Sequence, residues 1–108
     1  MTGRTNSMLT ARAVVLAVLS SGKPLYGLAI LKLCREKTAG LFAPHQGNLY
    51  PTLEELKENG LIKVSSVAVR GPESGGRPRI FYKLTPKGRR AASRLRDAVI
   101  NLFDVDAA

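Results

Sequence analysis

Gly75-Gly76-Arg77-Pro78-Arg79-Ile80-Phe81-Tyr82-Lys83-Leu84 reads as a basic, glycine-rich loop that runs directly into a β-strand. From Arg79 to Leu84 the residues alternate, with Ile80, Tyr82 and Leu84 on one face and Arg79, Phe81 and Lys83 on the other. Upstream, Leu61 to Val69 is rich in β-branched residues and reads as a second strand. Ile62 and Val64 point one way, and the parity shifts at Ser66-Val67, which predicts a bulge. The Gly/Pro-rich stretch from Arg70 to Pro78 joins the two strands as an open hairpin, too long for a tight turn.

On the far side of the hairpin, Thr85-Pro86 marks a helix start, a hydroxyl N-cap followed by proline at the first helical position. This last helix is predicted to reach Phe103, with 104–108 frayed. On the near side three helices are predicted. The first runs from about Leu9 to Ser20, where Leu9, Ala13, Leu16 and Ala17 recur at helical spacing. The second runs from Tyr26 or Gly27 to about Thr38, with Ile30, Leu33 and Cys34 inward and Gly40 ending it. The third covers roughly Asn48 to Asn59, with Leu49, Leu53 and Leu56 inward and Gly60 as the left-handed closing residue. Pro51 is tolerable there only in the first turn, which argues for a start near Gly47 or Asn48.

Helix, helix, helix, strand, strand, helix is the layout of a winged helix-turn-helix, mainly α within the α+β class. It has three helices, a two-stranded β wing and a C-terminal helix read as a dimerisation element. Residues 1–8 are expected to form a flexible tail, 9–85 the DNA-binding domain, and 86–108 the dimerisation helix with its frayed end.

Charge names the partner. Between Leu61 and Arg96 stand ten basic residues and one acid, Glu73, so this stretch carries the whole formal net charge of +9. Such a local excess points to a polyanion, with nucleic acid ahead of a membrane surface. At 108 residues the chain is one domain with a single modest core. The longest apolar run, Ala13 to Leu19, is too short to span a bilayer, and the N-terminus lacks the apolar core of a secretory signal. Cys34 is the only cysteine, which excludes an internal disulfide and fits a reducing cytoplasm, in a nucleoid-associated position. His45 stands alone, so no metal site is expected, and no cofactor is indicated. No Ser/His/Asp set, carboxylate pair or phosphate-binding glycine loop argues for an enzyme.

Gly47-Asn48-Leu49-Tyr50-Pro51-Thr52-Leu53, then Leu56 and Gly60-Leu61-Ile62, then Gly76-Arg77-Pro78-Arg79 with Tyr82-Lys83-Leu84-Thr85 and Gly88, resemble the PadR family of bacterial transcriptional regulators. Leu25-Tyr26-Gly27 followed by Ile30 is similar to that family's second-helix signature, and the resemblance spans about Leu9 to Arg90. It implies a dimeric, repressor-type protein on a palindromic operator, with the helix after the wing making the dimer contact. The chain departs from the family at His45-Gln46, ahead of the recognition-helix glycine, and at Phe42, where many members have tryptophan. Base preference and the stacking of planar ligands therefore do not carry over. With one helix after the wing, a large ligand pocket inside one subunit is not expected, and nothing indicates a small-molecule effector, although a cleft at the dimer interface leaves room for one.

The residues placed on DNA are Lys23, Tyr26, Gln46, Asn48, Tyr50, Thr52, Arg77, Arg79 and Lys83. Gln46 and Asn48 can pair with adenine, and Tyr50 and Thr52 can reach phosphate or a thymine methyl. The alternative is that Asn48 only caps its helix and Tyr50 packs under the wing. Glu54, Glu55 and Glu58 repel phosphate, so only the front of the third helix is expected to face the duplex. Arg77 and Arg79 suit a minor groove or a phosphate clamp, whereas a solvated turn would leave them idle. Lys23 and Tyr26 are placed to touch the backbone beside the second helix's first amides, unless Tyr26 simply fills the core.

Ala92, Leu95, Val99 and Leu102 fall at spacings of 3, 4 and 3, an a/d seam that needs a partner. The seam either folds back on the first helix or pairs with a second chain. The reading taken is a dimer interface of Leu9, Leu16, Ala92, Leu95, Val99 and Leu102. The expectation is a homodimeric, sequence-specific DNA-binding regulator. The main alternative is a plasmid, replication-accessory or architectural DNA-binding protein of the same fold. A membrane-surface module driven by Lys87, Arg90, Arg94 and Arg96 is a third reading.

Overall fold

The computed structural model describes residues 2–68 and 78–104, with side chains from Ala11 onward. The elements are α1 (Thr2–Leu19), β1 (Leu25–Tyr26), α2 (Gly27–Thr38), α3 (Gln46–Glu58), β2 (Ile62–Ala68), β3 (Arg79–Leu84) and α4 (Pro86–Phe103). The winged helix-turn-helix layout holds, but the sheet has three strands in the order β1-β3-β2, all antiparallel. The unforeseen strand is the two-residue β1, which pairs Leu25 with Tyr82 and Tyr26 with Phe81. Two residues between Pro24 and a helix start carry no period to read, and only the neighbouring strand gives them their ladder.

Three expectations are corrected here. The first helix, expected from about Leu9, begins at Thr2. Pro51 lies inside α3 and not in its first turn, since the helix begins at Gln46. Its missing N–H leaves the carbonyl of Gly47 without a helical donor, and the exposure of Gly47 lets water serve instead. The bulge falls between Val64 and Ser66, so Ser65 is the extra residue, one place before the expected parity shift.

Val15, Leu19, Ile30, Leu49, Leu53, Leu56, Ile62, Tyr82 and Leu84 form the core between α1, α2, α3 and the inner face of the sheet. In α2 the buried stripe is Ile30, Leu31 and Cys34, with Leu33 only half-buried. Gly60 has φ 74°, in the left-handed region, as expected for the residue closing α3.

The junction after Gly60 is tightly bonded. Thr85 caps α4 by accepting from the Gly88 amide at 3.0 Å, while its hydroxyl donates to the Gly60 carbonyl. The Thr85 amide donates to the Leu61 carbonyl at 3.0 Å. Lys87 Nζ donates to the Asn59 carbonyl at 2.9 Å, placing a cation at the negative end of α3. A Cβ on Gly88 would lie 1.9 Å from the Leu61 carbonyl oxygen, so only glycine fits there.

Candidate nucleic-acid interface

The front of α3 carries the first part of the surface. His45 stands at its N-cap with φ −69° and ψ 151° and no side-chain cap bond, while its carbonyl accepts from the amides of Asn48 and Leu49. Asn48 is therefore not the cap, being the third residue of the helix. Gln46 and Gly47 are exposed, Asn48 is half-buried, and Tyr50 is 46% exposed. A Cβ at Gly47 would meet nothing, so this end of the helix opens onto free space.

Thr52 does not belong to this surface. It is 0% exposed, and its hydroxyl has no hydrogen-bond partner among the described residues. Helical spacing explains the correction: Leu49, Thr52, Leu53 and Leu56 fall at i, i+3, i+4 and i+7, so Thr52 sits on the inward stripe despite its polarity.

The second part of the surface gathers at the start of α2. The Tyr50 ring covers Gly27, where an added Cβ would lie 2.8 Å from its hydroxyl. Tyr26, the N-cap of α2, meets Phe81 edge-on at 5.4 Å between ring centres. The Arg79 guanidinium lies 4.5 Å from the centre of the Tyr26 ring. Pairing of Tyr26 with Phe81 across the β1–β3 ladder brings these groups to one face, with Arg79 one pleat along. The fold thus draws Tyr26, Tyr50 and Arg79, from three separate elements, around one helix start. Lys83 is half-buried on the same strand face as Phe81 and Arg79, and Lys23 is exposed in the turn before β1. Arg77 lies outside the described residues. Gly27 and Phe81, absent from the sequence-based set, have their signal in the Tyr26-Gly27 dipeptide and in the outward parity of β3.

The seam of α4 divides in two. Ala92 is 6% exposed and Leu16 8%, both in the core of the single chain, so neither is free to face a partner. Leu95 is half-buried against the same core. The first half of the seam folds back on α1, because the Gly88 junction brings the start of α4 down onto the domain. Beyond it Val99, Ile100, Leu102 and Phe103 are 43, 58, 72 and 86% exposed. Between α1 and this end of α4 an open cleft of about 720 Å³ is lined by Val14, Ala17, Phe42, Leu95, Val99 and Phe103 among others. Leu9 lies in α1, but its side chain is not among those described.

Burial raises the thiol pKa of Cys34 above its usual range, as it does the Tyr82 phenol, on which Lys57 acts in the opposite sense. Among the described residues no group of three His, Cys, Asp or Glu could hold a metal ion, and no helix is long and apolar enough to cross a membrane.

A family model, the transcriptional regulator PadR-like family, matches residues 15–94, from within α1 to within α4. The chain belongs to this family. No curated protein matches it significantly in sequence. Among solved structures, the PadR-like transcription factor from Bacteroides fragilis is similar at 24% identity and a TM-score of 0.71, over 98% of this chain and 94% of that one. A transcriptional regulator from Clostridium thermocellum is similar at 24% identity and a TM-score of 0.67, over 90% and 86%. Bacillus subtilis PadR, in complex with operator DNA, is similar at 20% identity and a TM-score of 0.66, over 77% of this chain and 44% of that one. At these identities the shared property is the PadR winged-helix fold. The family and these neighbours are transcriptional regulators, not enzymes.

Proposed function

We propose that this PadR-like chain is a sequence-specific DNA-binding regulator that works as a homodimeric repressor on a palindromic operator. The observation that carries the reading is the convergence of Gln46, Asn48 and Tyr50 at the open front of α3 with the Arg79–Tyr26 pair at the start of α2. The front of α3 enters a major groove, where Gln46 and Asn48 read base edges. Arg79, Tyr26, Lys23 and Lys83, with Arg77 on the wing, hold the flanking backbone or minor groove. The likeness of the fold to a PadR in complex with operator DNA supports DNA as the partner.

Dimerisation rests on the far half of α4. Val99, Ile100, Leu102 and Phe103 expose a continuous apolar end that a second copy of α4 would cover. Two-fold symmetry then spaces the half-sites about one helical turn apart.

The deciding experiment compares a palindromic fragment from beside the regulator's own gene with a scrambled duplex of equal length. Preference for the palindrome at moderate salt supports the reading. Equal affinity for both leaves only an architectural DNA-binding role.

A further inference from the structure

Lys63 and Lys83 are direct partners across the β2–β3 ladder. They stand on the outer face of the sheet, the face of Phe81 and Arg79, because Tyr82 and Leu84 turn inward. Like charges directly opposite each other destabilise an antiparallel pair. Neither lysine has an acidic partner among the described residues, whose ion pairs join Arg12 to Glu55, Lys57 to Glu54 and Arg96 to Asp97. Lys63 is exposed and Lys83 half-buried. Arg79 lies on the same face of β3, two pleats further along, about 13 Å away at ordinary strand rise.

We propose that Lys63 and Lys83 form a phosphate-binding site at the base of the wing, filled by a backbone phosphate of the bound duplex. The proposal rests on the DNA-binding reading above and adds Lys63 to its contacts. Both ammonium groups donate hydrogen bonds to the phosphate oxygens, and the anion's charge cancels their repulsion. Arg79 takes a second phosphate nearer the wing tip. In the free protein the pair is a standing repulsion that binding relieves, so stability and affinity pull against each other at this one position.

Lys63→Glu separates the two effects. It gives Lys83 a cross-strand ion partner, so the free protein's melting temperature rises by roughly 2–5 °C. DNA affinity falls at least tenfold, and the slope of log affinity against log salt becomes shallower by about 1. Lys37→Glu makes the same charge change at the far end of α2 and shifts affinity less than threefold. A Lys63→Glu protein that melts higher but binds no worse than Lys37→Glu overturns the site; so does one whose melting temperature does not rise. If Lys63→Glu folds poorly, Lys63→Gln must still flatten the salt slope by about 1. Should the wild-type chain bind no duplex at all, the DNA reading fails on its own. Sodium tripolyphosphate then decides the site. Stabilisation of the wild type beyond sodium chloride of equal ionic strength, lost in Lys63→Glu, keeps a phosphate site with a free ligand, and equal stabilisation of both overturns it.

Discussion

The Arg79 guanidinium rests 4.5 Å from the centre of the Tyr26 ring, so a strand of the wing and the cap of α2 hold each other in place. A cation on an exposed ring contributes about 0.5–1 kcal/mol. Tyr26→Ala removes that support and the edge contact with Phe81, and DNA affinity is expected to fall about threefold to tenfold. Tyr26→Phe keeps the ring and is expected to bind within twofold of wild type. Anisotropy titrations at one salt concentration test this; equal losses in both variants would show that the hydroxyl, not the ring, matters.

Thr52 makes the opposite prediction from its neighbours in α3. Thr52→Val replaces a buried hydroxyl that has no partner among the described residues with a methyl of similar shape, and is expected to stabilise the fold by about 1 kcal/mol. Operator affinity stays unchanged. Gln46→Ala and Asn48→Ala leave stability unchanged and relax base preference, each by about 1–3 kcal/mol for a lost bidentate contact. Urea melts and competition binding on the same three proteins tell the roles apart.

Gly88→Ala drives a methyl into the Leu61 carbonyl. The backbone there belongs to the α3–β2 turn and has no rotamer to change, so a loss of about 3 kcal/mol or more is expected. A midpoint shift in chemical denaturation of less than 1 kcal/mol would mean that the junction is looser than its geometry.

Apolar residues of α1 and α4 fall into two classes. Leu102→Ser with Phe103→Ser is expected to give a folded monomer, because both side chains face solvent in the single chain. Leu16→Ala costs about 2–5 kcal/mol of stability, because that side chain is already enclosed. Sedimentation velocity and thermal melts on both variants make the comparison. A Leu102/Phe103 variant that remains dimeric places the interface elsewhere.

Burial raises the pKa of Cys34 in the folded chain, so its contribution to stability is intact below the unfolded thiol pKa of about 8.5 and is lost as pH rises through the folded value. Stability should therefore fall above about pH 8.5, less steeply in Cys34→Ala, with the Tyr82 phenol adding to the loss at higher pH. Iodoacetamide should label native Cys34 slowly and the urea-unfolded thiol quickly at the same pH. Rapid labelling of the native protein is the contrary result.

Much of this was legible in the residues because strong local signals carried it. Thr85-Pro86 marked the start of α4, Gly60 the end of α3, and the parity of Arg79 to Leu84 the third strand. What escaped depended on distant partners. Two residues, Leu25-Tyr26, become a strand only because β3 supplies the ladder. Thr52 shares the chemistry of its polar neighbours, but its position in the helical period turns it inward. The seam of α4 was periodic throughout, and period alone does not say where a helix leaves the surface of its own domain. That depended on the approach of Gly88 to Leu61.

That same contact determines what α4 can do to α3. Asn59, Gly60 and Leu61, at the end of one helix, are bonded to Thr85 and Lys87, at the beginning of the other, with no spacer to absorb a twist. A tilt applied to the free end of α4 therefore swings α3 as a crank turns its shaft. In the proposed dimer, the angle at which two α4 helices cross would set the distance between two reading heads, and anything wedged at that crossing would retune it from afar.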